Sequence, residues 1–465
     1  MRNGERMRIF SFLADAVGTV VTPAFLLFAS LGILSSAGVK RVFDLRPLLG
    51  RGKRSGNGAS PLSALSLALA GTLGVGNITG VASALMAGGP GAVVWMWIGA
   101  VAAIPVKYAE VLLAVRYRER VGDGWRGGAM YTIRNGFGGG TAARKAGAVF
   151  AVLCATNALV TGNLIQSNAA VSLLPGDRRV LWGIALSLSV ALSVCFGTKR
   201  IERAAARLMP PLTAFFLLVS LAAVLPHADL IPGILKDTVR SAFSLRAVGA
   251  GAMGFTVREA VRFGVMRGIF SNEAGCGTSP TAHASADTDS SEQQAALGVA
   301  EVIFDTLILC TVTALVLLTA DRVAGGFPWG LDADPAPAAL EGFRVLSGKI
   351  AAEGIRLSTV LFAYASVIAQ IYYGIGAIRY ITESKKAEGA FLALSVLMPV
   401  CGAAVSPGPM WMIADLLLGS MTILNCSVLL LFRGKLRPAP VRNPPNSGSK
   451  ASSGPRPLRK YGTRP

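Results

Sequence analysis

The chain has 465 residues, 52% of them hydrophobic and 15% charged, with a formal net charge of +20 and a mean hydropathy of +0.54. That balance lies outside the range of soluble globular domains, so the length reads as one polytopic membrane domain rather than several soluble ones. The basic surplus sits in the connections and the tail, where it faces anionic lipid and sets orientation, which argues against nucleic acid as a partner.

The opening MRNGERMRIF sets arginines ahead of an apolar run, as a signal peptide does, but the run over 16–39 is too long for an h-region and reads as a span. Further apolar runs of spanning length cover 61–87, 91–115, 146–174, 180–196, 208–225, 295–320, 357–380, 390–405 and 410–432. Between them, GVMRGIFSNEAGCGTSPTAHASA over 264–286 has the length of a helix and is too polar for a transfer scale. Charge arbitrates. If that stretch spans, Lys and Arg concentrate on one side by roughly two to one, and if it does not, the sides are nearly equal. The pattern therefore predicts about eleven transmembrane helices in an all-α polytopic protein of the cell (plasma) membrane, with the N-terminus outside and the C-terminus cytoplasmic.

The layout suggests an inverted repeat. With the first span set aside, two Gly- and polar-interrupted segments each open a set of about five, which brings the interruptions together near the midplane. The expected divisions are an extra N-terminal helix and basic loop over 1–60, a first repeat over 61–247, a second over 248–433 and a disordered basic tail over 434–465.

GTLGVGNITG over 71–80 is the first interruption. It fails as a dinucleotide loop, because its glycines lack the full spacing and its context is apolar helix rather than strand. Close packing through Gly76 and Gly80 accounts for the glycines and leaves Asn77 without a reason. An unwound helix accounts for both. Its half-helix N-terminus suits a carboxylate and its freed carbonyls suit a cation. FSNEAGCGTSP over 270–280 is the second interruption, and Ser271, Asn272 and Glu273 are costly there unless paired or hydrated. Two such breaks face to face suit a small zwitterion. In GNLIQSNA over 162–169, Gln166 is assigned to the pocket, with Asn163 and Asn168 read as interhelical glue.

Other polar residues read as structural. Lys107 and Glu110 are taken as a pair near the interface, and Glu301, Asp305 and Asp415 as paired or hydrated groups. His227 and His283 form no metal set, the six cysteines read as small packing residues, and no nucleophile constellation points to an enzyme.

At these residues the sequence resembles the alanine or glycine:cation symporter family, the sodium:alanine symporters. The resemblance is carried by GVGNITGVASALMAGGPGAVVWMW (74–97), KYAEVLLAVRYRE (107–119), GGAMYTI (127–133), GNLIQSNA, GVMRGIFSNEAGCGTSPTAHA (264–284), DTLILCTVTALV (305–316) and YYG (372–374). It implies a LeuT-like five-plus-five inverted repeat with an extra N-terminal helix. The implied activity is uptake of a small neutral amino acid, alanine or glycine in the family, by alternating access. The implied substrate contacts are Val75, Gly76, Asn77, Gln166, Phe270, Ser271, Asn272 and Gln370. Sodium is the implied coupling ion, with a proton as the alternative, and its implied ligands are the carbonyls of Ala70 and Leu73 and the hydroxyl of Ser366. Departures fall at Val75, where the family commonly has Thr, and in FAYASVIAQIYYG (362–374). There Ala365 and Ser366 replace a Thr-Thr pair, and Ala369 and Gln370 replace Gly-Trp. A roomier, more polar pocket follows, which leaves open a larger amino acid, uncoupled transport, or a binding or sensor protein on the same fold.

Overall fold

Residues 12–49, 59–122, 124–195, 197–244, 256–330 and 333–436 are described in this computed structural model. Apart from one antiparallel hairpin, β1 (Glu119–Val121) with β2 (Gly124–Arg126), the regular structure among them is helical. In chain order the α-helices of five or more residues are α1 (Thr22–Ala37), α2 (Pro61–Thr72), α3 (Thr79–Gly88), α4 (Ala92–Arg116), α5 (Ala129–Gly136), α6 (Thr141–Leu159), α7 (Gln166–Ser172) and α8 (Arg179–Val194). They continue with α9 (Thr198–Val224), α10 (Ile231–Phe243), α11 (Val257–Asn272), α12 (Pro280–Ala284), α13 (Ser291–Val302), α14 (Thr311–Ala324), α15 (Pro335–Ile381), α16 (Lys385–Ala404) and α17 (Pro407–Leu431).

Local chemistry sets the starts. Ser60 accepts the Ser63 N–H ahead of Pro61, and Thr256 forms a reciprocal capping box with Glu259. Among the described residues, eight helices, some counted across the turns that join them, are long and apolar enough to cross a membrane. The broken pairs α2/α3 and α11/α12 and the shorter α8 accompany them. Burial ranks them: the apolar window of α4 is 89% buried and that of α16 only 28%, so α4 runs through the middle of the bundle and α16 faces its surroundings.

Several expectations are corrected. The runs over 208–225 and 357–380 are inner parts of longer helices, α9 and α15, and α15 bends at Gly348 where φ is +74°. Helix α10 was not anticipated, and it is pinned to α4 by Trp95 Nε1 donating to the Ala242 carbonyl at 3.0 Å. Cys195 and Cys401 are exposed rather than packed inside. The tail begins with an ordered 3-10 turn, Arg433–Leu436, whose last carbonyl accepts Arg41 Nη1 at 2.6 Å. The rest of the tail, and the division expected at 247–248, lie outside the described residues.

A junction of two broken helices

In the first break the helical ladder ends by diversion of its donors. The N–H of Gly74 turns to the Thr72 carbonyl at 2.8 Å, and the N–H of Val75 turns to Gln166 Oε1 at 2.9 Å. Those two donors would otherwise reach the carbonyls of Ala70 and Gly71. The Gly71 carbonyl is met instead by α15, whose Ser366 Oγ donates at 3.1 Å and Gln370 Nε2 at 3.4 Å. A single 3-10 turn, Val75–Asn77, then leads into α3.

The second break turns on Glu273 at φ +50°, Gly275 at +91° and Gly277 at +74°. The glycines carry the left-handed turns without strain, and Glu273 is the one non-glycine at positive φ among the described residues. Its carboxylate is held by Gln370 Nε2 and by Thr278 Oγ1. A truss from α4, α13 and α17 supports the turn. Lys107 Nζ donates to the Asn272 carbonyl at 2.9 Å and to Ser279 Oγ at 2.6 Å, so an ammonium caps the C-terminal end of α11. The same ammonium pairs with Glu301 at 3.3 Å. His283 faces Glu301 through Nε2 at 2.8 Å, and the Gln294 amide donates to its Nδ1 at 2.8 Å, which assigns the ring hydrogen to Nε2. Glu110 accepts the Gly277 N–H at 2.9 Å and the amide of Asn425, which also reaches the Gly275 carbonyl at 3.0 Å.

The two breaks touch. A Cβ on Gly76 would stand 3.1 Å from Ser271 Cα and 3.2 Å from the Phe270 ring, so a larger residue would require the neighbours to give by a few tenths of an ångström. Asn77 Nδ2 donates across it to Ser271 Oγ at 3.0 Å and to Asp305 Oδ1 at 2.8 Å. Wide π turns aim two of these side chains, Val160–Ile165 just before Gln166 and Ile303–Cys310 around Asp305. Asn272 holds Thr306 Oγ1 at 3.0 Å, and the Phe270 ring packs on Trp411 with centroids 4.6 Å apart.

Val75, Gly76, Asn77, Gln166, Phe270, Ser271, Asn272 and Gln370 are thus brought to one junction, with Ala70, Leu73 and Ser366 at the end of α2 beside it. Two structural readings fail. Lys107 and Glu110 do not hydrogen-bond to each other: both are buried and each braces the second break through other partners. Asn163 bonds within its own helix, to the Ala158 carbonyl, while Asn168 is interhelical glue to Gly402 and Val405. Asp415 does pair, with the buried Arg267 at 2.8 Å, and that guanidinium lies 4.2 Å over Trp411. Sequence reasoning missed Asp305 as part of the junction, although a carboxylate in an apolar helix was a signal for it.

A model described as the sodium:alanine symporter family matches residues 14–439. Sodium/alanine symporter AgcS of Methanococcus maripaludis is 36% identical over 382 residues, 81% of this chain and 82% of its own. Amino-acid carrier protein AlsT of Bacillus subtilis is 32% identical over 83% of this chain and 80% of its own. The probable sodium/glutamine symporter GlnT of the same organism is 33% identical over 82% and 78%. Among solved structures, MhsT in complex with L-phenylalanine aligns with a TM-score of 0.57 at 16% identity, over 82% of this chain and 90% of that one, a likeness of LeuT-like fold.

Proposed function

This chain belongs to the sodium:alanine symporter family, a family of membrane transporters rather than enzymes, and we propose that it couples inward sodium movement to uptake of a small neutral amino acid by alternating access. The observation that carries this reading is the bond from Ser366 on α15 to the Gly71 carbonyl, because it ties a helix of the second repeat to the last turn of α2, where the first break begins. A sodium ion shared by the Ala70 and Leu73 carbonyls and Ser366 Oγ would make that tie depend on the ion. The donor chemistry fits: the oxygens are hard, and the N–H groups that would occupy the carbonyls of the last turn of α2 are turned elsewhere.

Substrate is assigned to the seam of the two breaks. The backbone at Val75 and Gly76 and the N-terminal end of α3 suit the carboxylate, while Asn77, Gln166, Phe270, Ser271, Asn272 and Gln370 line the rest. Gln370 joined to Glu273 gives that seam a polar wall, which favours a neutral side chain able to hydrogen-bond. On this reading the repeats run over 61–247 and 248–433, the N-terminus faces outward and the C-terminus lies in the cytoplasm. The test is thermal unfolding of the purified protein with a panel of neutral amino acids, in sodium and in choline. A ligand at a hundredfold over its Kd stabilises by about 2.7 kcal/mol. We expect one or a few amino acids to raise Tm in sodium alone, and stabilisation equal in both salts would reject the coupling ion.

A further inference from the structure

The 3-10 turn Arg433–Leu436 follows α17 and is gripped from several segments. Arg41 Nη1 donates to the Leu436 carbonyl at 2.6 Å, and Arg116 Nη1 donates to the Lys435 carbonyl at 2.8 Å. Both arginines also pair with Glu292 Oε1 at the start of α13, at 2.9 and 2.8 Å. Lys435 adds a contact of its own, its Nζ donating to the Gly136 carbonyl at the end of α5 at 3.0 Å. Leu436 is 0% exposed, and the nearby Phe432 ring packs on Phe137 with centroids 4.6 Å apart. A Cβ on Gly136 would stand 2.6 Å from the Phe432 ring, so that ring seats on bare backbone. One turn of chain therefore joins the short helix Val39–Val42, α4, α5, α13 and α17.

The same face carries the segments that lead to and from the two breaks. Ala59, just before the Ser60 cap of α2, bridges Ala286, just past α12, and its carbonyl accepts the Asp287 N–H at 2.7 Å. Arg118, two residues beyond Arg116, donates to the carbonyls of Ala284, Ala286 and Thr288. The Trp125 ring of the hairpin lies 4.0 Å from its guanidinium. These contacts close the face, and release of substrate on this side requires the joined segments to part. The turn Arg433–Leu436 holds the same helix ends by charge-assisted bonds to its main-chain carbonyls, around a buried leucine, where a chain end would otherwise fray. Its hydrogen-bond partners among the described residues lie outside the junction, so it biases the face and leaves the chemistry of the site alone.

We propose that the turn Arg433–Leu436 is a strap that holds this face shut, so that the C-terminal segment sets the balance between its closed and open states. The inference rests on the symport reading, on which this face is cytoplasmic, and adds to it a control on inward opening. Arg41 and Arg116 are its two hooks, Leu436 is its plug and Glu292 keeps the hooks together. Because the pairs with Glu292 are partly exposed, salt loosens the strap.

The test is the rate at which a maleimide labels Ser285→Cys in the full chain in lipid nanodiscs, with the exposed Cys195 and Cys401 replaced by serine and labelled sites resolved by mass spectrometry. Ser285 lies in the clasped segment and is 7% exposed, so its labelling reports opening of this face whichever way the chain is oriented. Arg41→Gln and Leu436→Ser, each added to that background, are expected to raise the rate about threefold, the scale of one partly exposed ion pair. Leu436→Ser leaves Arg41, Arg116 and Glu292 in place, so it separates the strap from the charge of Glu292. Unchanged rates in both variants, or a rise in Arg41→Gln alone, overturn the strap. Labelling of Cys154, buried in α6, would mean that the whole bundle has loosened and also overturns it. Sodium-driven uptake by wild type is measured separately in proteoliposomes. Its absence would reject the symport reading itself, and with it the control on release.

Discussion

Gln370 donates its side-chain amide to the carboxylate of Glu273, and the same nitrogen lies 3.4 Å from the Gly71 carbonyl. One side chain on α15 therefore reaches both broken helices. Ser366, one turn earlier on the same face, holds Gly71 as well.

Gln370→Trp is expected to shift preference toward the smallest amino acids. The larger ring removes the donor to Glu273 and fills space beside Gly162, where a Cβ would already stand 2.3 Å from Gln370 Cβ. Competition by a graded series of neutral amino acids reads this out, and an unchanged ranking would place Gln370 outside the pocket.

Gln166→Ala leaves the Val75 N–H buried without its acceptor, a loss of about 1–3 kcal/mol that falls on the conformation of the first break. Substrate affinity should drop at least tenfold, with a monodisperse elution profile retained. Asn77→Ala should do the same by releasing Ser271 and Asp305. Wild-type affinity in either variant would remove that residue from the site.

Gly76→Ala tests the close approach of the breaks. The added methyl meets Ser271 backbone at 3.1 Å, so the breaks must separate slightly. Transport should fall more than Tm does, and unchanged transport would mean that the contact is not part of the working cycle.

Lys107→Met strips the ammonium from the truss and leaves Glu301 buried with His283 alone. Breaking a buried pair from one side costs about 3–5 kcal/mol, so Tm should fall sharply. Adding Glu301→Gln should recover part of the loss, because the uncompensated charge goes with it. No recovery would show that Lys107 acts chiefly through Asn272 and Ser279.

How much of this was legible in the sequence follows from where polarity stands out. Asn77 and the run from Ser271 to Glu273 are conspicuous in apolar surroundings, so both breaks were readable, and Gln166 with them. Hydropathy carries no information about depth within the bundle. Lys107 and Glu110 look the same at an interface as in the 89% buried window of α4, so their role in bracing the second break was hidden. Asp305 was undervalued for a related reason: its importance comes from three partners on other segments or its own turn, and only folding brings Asn77 and Ser271 to it. The π turns ahead of Gln166 and around Asp305 have no composition signal, although they decide where those side chains point.

The central claim, sodium-coupled uptake of a neutral amino acid, is tested most directly by accumulation of labelled amino acids in proteoliposomes under an inward sodium gradient at equal pH. The account expects internal substrate to rise above the external concentration and the rise to collapse when the gradient is removed. Binding without accumulation, under that gradient, would contradict it and make the junction a receptor for amino acids rather than a carrier.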